Sequence, residues 1–187
     1  MNSSLRFLAV LILIPALGSC ASQARPMPPV ESVDLPRFMG DWYVIAHIPS
    51  RPEREAFDAV ESYRLDEKGR VLTTFTFRKG SHDAPIETMH PTGFVKPGTG
   101  NAVWGMQFIW PIKAEYVIAY LDENYTRTIV ARSKRDYAWI MARSPQIPEQ
   151  DYAQLVERLR ELGYSTTDLR KVPQARSSQD SPKQGSK

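Results

Sequence analysis

The chain has a single cysteine in 187 residues, so no intrachain disulfide and no cluster of thiolates around a metal can hold it together. It has little excess of charge either. Its 24 lysines and arginines face 21 acids and are spread along the chain, and a net +3 is no electrostatic footprint for nucleic acid. The longest apolar run, Phe7–Leu17, is too short to span about 30 Å of hydrocarbon as a helix. No G-x-S-x-G, H-E-x-x-H, P-loop or G-x-G-x-x-G occurs, which removes the local signatures of serine hydrolases, zinc proteases and nucleotide-binding enzymes. The remaining composition, 42% hydrophobic with 10 Gly and 15 Pro, is that of an ordinary globular chain of about one domain.

The N-terminus reads as an address. Arg6, the apolar run and the small residues Gly18-Ser19 make a secretory signal over 1–19, and the one cysteine, Cys20, falls at the expected cut. Leu17-Gly18-Ser19-Cys20 resembles the lipobox of bacterial lipoproteins, which implies lipidation at Cys20 and anchoring through acyl chains. Ala21, where such proteins carry Asp for inner-membrane retention, resembles the outer-membrane pattern. Residues 20–33, with Pro26, Pro28 and Pro29, then form a semi-extended tether.

The body reads as strands followed by one helix. Short β-rich runs recur at Asp41–Pro49, Ala59–Leu65, Arg70–Arg78, Pro85–Val95, Ala102–Trp110, Ala114–Leu121, Arg127–Arg132 and Tyr137–Ala142, the spacing of an antiparallel barrel or sandwich. Turn-forming stretches such as Asp66–Gly69 and Lys96–Gly100 separate them by hairpin lengths. The longer connection Ser50–Asp58 has the composition of a surface loop at a barrel mouth. After Pro148, the apolar positions Tyr152, Leu155, Val156, Leu159 and Leu162 follow helical spacing until Gly163, predicting a helix packed on its own domain. The polar residues 173–187 read as a disordered tail, leaving 34–172 as the folded domain.

Alternation places Trp104, Met106, Phe108 and Trp110 on one strand face, Tyr116, Ile118 and Tyr120 on another, and Val71, Thr73, Phe75 and Phe77 on a third. An eight-stranded barrel lined this way either fills with side chains or holds one small ligand. The aromatic walls with isolated polar groups, Thr73 and Glu61, suit a pocket, although aromatics also fill solid cores. Out of phase with Trp42, Val44 and Ala46, His47 is expected to face outward. Glu87 and His90 fall on opposite strand faces, so no metal is expected, nor any cofactor.

Three segments resemble lipocalins. Phe38-Met39-Gly40-Asp41-Trp42 is similar to the Gly-x-Trp signature on their first strand. Asp122-Glu123-Asn124-Tyr125 is similar to their second signature, between the sixth and seventh strands, and Ala142-Arg143-Ser144-Pro145 to the third, which supplies an arginine. The stretch around Trp139 resembles the bacterial outer-membrane lipoprotein lipocalins, which are akin to apolipoprotein D. The resemblance implies an all-β fold, an eight-stranded antiparallel up-and-down barrel with a C-terminal α-helix packed outside. It makes Gly40, Trp42, Tyr125 and Arg143 fold determinants, with Arg143 lying across the Trp42 indole.

It also implies a function: binding a lipid-like amphiphile, a fatty acid or lysophospholipid, for storage or transport in outer-membrane maintenance at the periplasmic face. Candidate ligand-binding residues are Phe75, Phe77, Trp104, Met106, Phe108, Tyr116 and Trp139. No catalytic residue is assigned and the chain is not expected to be an enzyme. Two alternatives remain, a lipid-acting enzyme using Glu61 and a filled-barrel scaffold. A homodimer is compatible with the pattern but not demanded by it.

Overall fold

The computed structural model describes residues 25–175. They form a short α1 (Leu35–Phe38), strands β1 (Gly40–Ile48), β2 (Ala56–Leu65), β3 (Val71–Lys79), β4 (Ile86–Met89), β5 (Thr92–Val95), β6 (Val103–Ile109), β7 (Ile112–Leu121), β8 (Arg127–Ala131) and β9 (Ala138–Ala142), then α2 (Glu149–Glu161) and a two-residue β10 (Arg170–Lys171). Neighbours pair antiparallel in chain order and β9 returns to β1, closing the sheet into a barrel. β4 and β5 are two halves of one barrel strand, expected as a single run over Pro85–Val95. Pro91 has no N–H to give the ladder, so the run breaks there, with β4 pairing to Phe75–Arg78 and β5 to Val71–Leu72 and β6. Eight barrel strands result.

Side chains divide between two buried layers. Inside the barrel lie Phe38, Trp42, Val44, Tyr63, Phe75, Phe77, Trp104, Tyr116 and Met141. Outside, α2 covers one wall with Leu155, Val156 and Leu159 against Ile45, Ile129 and Ile140. Ala46, Ala131, Ala138 and Ala142 share that wall, and their small side chains let the helix approach the sheet. Gly163 takes φ +87, where side chains are strained, and ends the helix. The following Tyr164 then reaches back, its hydroxyl accepting from the Arg132 N–H at 2.8 Å and donating to the Tyr137 carbonyl at 2.8 Å.

Bulges interrupt the alternation and change which residues face inward. One between Val44 and Ala46 turns Ala46 and Ile48 outward under the helix and His47 inward, fully buried, correcting the expectation that His47 faces solvent. Another between Ile118 and Tyr120 sends Tyr120 out of the barrel, where the Arg158 guanidinium lies 4.5 Å from its ring centroid. A third, between Met106 and Ile109, ends the inward run of β6.

Both flanks of the domain lie against the barrel further than their composition suggested. Of the tether, the Met27 N–H donates to Ser133 Oγ (2.9 Å), Val30 to the Ile118 carbonyl (2.9 Å) and Val33 to the Gly100 carbonyl (2.8 Å). Gly100 permits this, since a Cβ there would sit 1.9 Å from the Glu31 oxygen. Of the tail, Gln174 Nε2 donates to the Val44 and Ala59 carbonyls and the Ala175 N–H to Asp58. The signal, Cys20 and residues 176–187 lie outside the described residues.

One end of the barrel is shut. α1 crosses it, with the Trp42 indole donating to the Phe38 carbonyl at 2.8 Å and Phe38 fully buried. Arg143 lies over Trp42, 3.9 Å from the ring centroid, and its guanidinium donates to the carbonyls of Arg37, Phe38, Met39, Asp41 and Tyr125. Gly40 beside it takes φ +90, a backbone conformation in which a side chain would be strained. Tyr125, also at positive φ, takes the Asp34 N–H on its hydroxyl and the Arg37 guanidinium on its ring. A lysine cannot serve five carbonyls and stack at once. Arg143→Lys is therefore expected to lower unfolding free energy by roughly 2 kcal/mol, read from the urea midpoint at unchanged m-value.

Candidate functional site

Above the shut end the side chains do not fill the barrel. A cavity of about 390 Å³ remains, within the usual range of small-molecule sites. Its floor is Tyr63, Tyr116 and Glu61, its walls Met89, Met106, Met141 and Trp139, and its mouth Ser50, Pro52, Glu53, Phe108, Arg132 and Tyr137. The floor is an aromatic stack: Trp104 lies parallel to Tyr116 with centroids 4.9 Å apart and meets Phe38 and Tyr63 edge-on. Methionine on three walls leaves unbranched, adaptable surface.

Four of the seven expected ligand-binding residues, Met106, Phe108, Tyr116 and Trp139, line this space. The other three are buried inside the barrel but do not reach it. Trp104 is in the stack beneath the floor, its N–H held by the Asn101 carbonyl at 2.6 Å, and Phe75 and Phe77 stack on each other with centroids 5.1 Å apart. Tyr63, Met89, Met141, Glu53, Arg132 and Tyr137 were not anticipated. Tyr63 was reachable, lying two residues from Glu61 on the same strand face. Glu53 lies outside the strands, where no periodicity marks it, whereas Arg132 follows Thr128 and Val130 in the alternation of the expected strand Arg127–Arg132 and was reachable in the same way.

The polar groups fall into two sets. At the mouth, a 3₁₀ turn over Arg51–Glu53 folds Glu53 inward, where it accepts from the Trp139 indole at 2.7 Å and from the Ser50 hydroxyl. His47 Nδ1 lies 3.6 Å from the same carboxylate. Burial alone would raise the Glu53 pKa, but His47, Ser50 and Trp139 outweigh it and hold the carboxyl below its ordinary range. Arg132 shares the mouth with Glu115; its Nη1 pairs with Asp136 at 3.4 Å and its buried Nε has no hydrogen-bond partner.

At the floor, Glu61 stands between Trp42 and Phe75 in the ladder, and its Oε2 has no partner. Burial, and to a lesser extent the Glu53 charge, push its pKa up to about 8, so it is mostly protonated at neutral pH. Beside it the Tyr63 and Tyr116 hydroxyls share one hydrogen bond of 2.7 Å, and burial pushes both phenols well above their ordinary range. Among the described residues, no three His, Cys, Asp or Glu side chains converge as metal ligands.

This closed barrel, with an arginine over the first-strand tryptophan and a cavity above, agrees with the comparisons to known proteins. The lipocalin-like domain family matches residues 33–174. The chain belongs to the lipocalin family. Among its relatives are temperature-induced lipocalin-1 of Arabidopsis thaliana (28% identical, covering 82% of this chain and 86% of that one) and the outer membrane lipoprotein Blc of Citrobacter freundii (27%, covering 88% and 96%). Apolipoprotein D of Bos taurus is 29% identical, covering 80% and 87%. Insecticyanin from the tobacco hornworm Manduca sexta shares the fold, with a TM-score of 0.63 at 16% identity over 82% of this chain and 86% of that one.

In this lipocalin the floor acid has a thermodynamic signature. The Glu61 pKa is raised on folding from an ordinary 4.5 to about 8, so its contribution is fully present below about pH 4.5 and is lost as pH rises toward 8. Glu61→Gln is expected to gain on the wild type across that window, by a few kcal/mol at its upper end, with the difference flat beyond it. Chemical denaturation of both proteins from acid to mildly alkaline pH measures this.

Proposed function

We propose that this lipocalin is a carrier of acyl amphiphiles, fatty acids or lysophospholipids, held near the outer membrane by a lipid on Cys20. The observation that carries the reading is the cavity itself, a mainly apolar pocket open at one end, with Arg132 among the acids Glu53 and Glu115 at its mouth. An acyl chain would run from the mouth between Met106, Met141 and Trp139 toward the floor, and the carboxylate or phosphate of its head would meet Arg132. Each buried methylene contributes about 0.8 kcal/mol before ordering costs, so a long chain is needed for useful affinity.

The position of the mouth supports a membrane role. The Arg25 carbonyl accepts from Arg135 and the Met27 N–H donates to Ser133, both in the β8–β9 turn, so the N-terminal segment leaves the barrel at the open end. Cys20 is five residues earlier in sequence, a reach of at most roughly 18 Å. The same end carries the β6–β7 hairpin, whose Phe108, Ile109, Trp110 and Ile112 are 56–82% exposed. An anchor at Cys20 would therefore bring both the cavity and the exposed hairpin to the lipid surface. Ala21 and the outer membrane lipoproteins among the relatives favour the outer membrane, at its periplasmic face.

A carrier also fits the mouth better than an enzyme does. Ser50, Glu53 and His47 meet there, but Ser50 donates to the carboxylate rather than to the imidazole, the wrong order for activating a hydroxyl. Both Glu53 oxygens are already engaged.

Native mass spectrometry with organic extraction, after incubation with envelope lipids, tests the reading. A one-to-one acyl-lipid adduct is expected, lost in a folded Met106→Trp variant that fills the cavity; a folded wild type that retains no lipid overturns it. Arg132→Gln is expected to weaken palmitate binding about tenfold or more while sparing cetyl alcohol, which lacks the charge. Competition against a fluorescent acyl probe measures that ratio.

A further inference from the structure

An acyl chain ending in methyl leaves one feature of the cavity unused. Glu61 has apolar or aromatic cross-strand and same-face neighbours, Trp42, Phe75, Ala59 and Tyr63. Placing a carboxyl there costs its hydration, and none of the described residues compensates Oε2. A leucine would fill the position without that cost and would suit a hydrocarbon tail better.

Two more polar groups complete the floor. The Tyr63 and Tyr116 hydroxyls spend one proton on each other, which leaves one phenolic O–H free to donate, and no hydrogen bond joins either to Glu61. The floor thus offers a free phenolic donor, the carboxyl of Glu61 and unused acceptor lone pairs, all at the inner end of a pocket lined elsewhere mainly by carbon and sulfur.

We infer that Glu61, Tyr63 and Tyr116 form an inner polar subsite for a neutral oxygen group, so that the barrel selects amphiphiles carrying a hydroxyl on the buried part of the chain. The inference rests on the carrier reading above. A hydroxyl suits the set because it can accept from the free phenol and donate to Glu61 at the same time. A carboxylate does not, since it would bring a charge into low dielectric beside an acid. A ligand therefore enters chain first, leaves its anionic head with Arg132 and places its second, neutral group at the floor. Arg132 would supply affinity for charged heads in general, and the floor would discriminate among chains.

The test is calorimetric binding, near neutral pH, of palmitate and of a series of monohydroxylated palmitates that moves the hydroxyl along the chain. In the wild type at least one isomer is expected to bind about tenfold more tightly than palmitate, with a sharp optimum in hydroxyl position. That ratio is expected to collapse to about one in Glu61→Leu, to fall severalfold in Tyr116→Phe, and to persist in Glu61→Gln, which keeps both a donor and an acceptor. Tyr116→Phe and Glu61→Gln are close in shape to the wild type, so the comparison survives if the leucine variant does not fold. Palmitate binding with no isomer preferred, as when the floor holds its own water, overturns the subsite and leaves the carrier standing. A preference unchanged in Glu61→Leu, or in Tyr116→Phe, also overturns it. Absence of binding by palmitate and every isomer overturns the carrier reading and the subsite together.

Discussion

The contact on which the barrel's architecture rests is the Arg143 guanidinium laid across the Trp42 indole. Its three nitrogens reach carbonyls from α1, from the start of β1 and from the turn before β8, so one side chain at the end of β9 ties together pieces of chain about a hundred residues apart. With a single cysteine in the chain no disulfide can cross-link the closed end, and that work falls to hydrogen bonds and stacking. The stack of Phe38, Trp104, Tyr63 and Tyr116 builds on this base, and its upper surface becomes the cavity floor. A rigid floor makes an open space above it tolerable, because the cost of a void is confined to one end of the molecule.

Bulges then decide the chemistry of that space. A strand that alternates strictly would put His47 in solvent and Tyr120 in the barrel; single-residue insertions reverse both. The outward shift of Ala46 and Ile48 gives α2 a wall to cover, and the same shift delivers His47 to Glu53 at the mouth. Packing of the helix outside and polarity at the mouth inside are two results of one backbone irregularity. The Ser50–Asp58 connection is accordingly more than a surface loop, since its 3₁₀ turn carries Glu53 back to Trp139 on the neighbouring strand β9.

The two glutamates show how position sets protonation. Glu53 and Glu61 are both desolvated, yet Glu53 is held ionised by hydrogen-bond donors, whereas Glu61, without any, keeps its proton. The result is an ionised carboxyl group at the mouth and a neutral one at the floor. In a pocket that is otherwise mainly apolar, the two acids set up a gradient of polarity along the barrel axis.

Strand number, turn positions, the terminal helix and the three signature segments were legible in the sequence, because each is a local pattern: alternation, turn-forming residues, a 3.6-residue stripe, short motifs. Four of the cavity residues were legible for the same reason. The break at Pro91 was written in the sequence too, although Pro85–Val95 reads as one strand. The rest was decided by tertiary structure. Whether Trp104, Phe75 and Phe77 line the cavity or pack beside it depends on how eight strands tilt and fill a common interior, which no single strand records. Glu53 reaches the cavity from a loop without any period, and the flanking residues 25–33 and 173–175 adhere through hydrogen bonds and a few buried side chains that composition does not register. The sequence by itself determined that a barrel forms and which end is pinned. Only the assembled barrel decided which atoms are left facing an empty space, because that depends on contacts between distant strands and on the bulges that set their register.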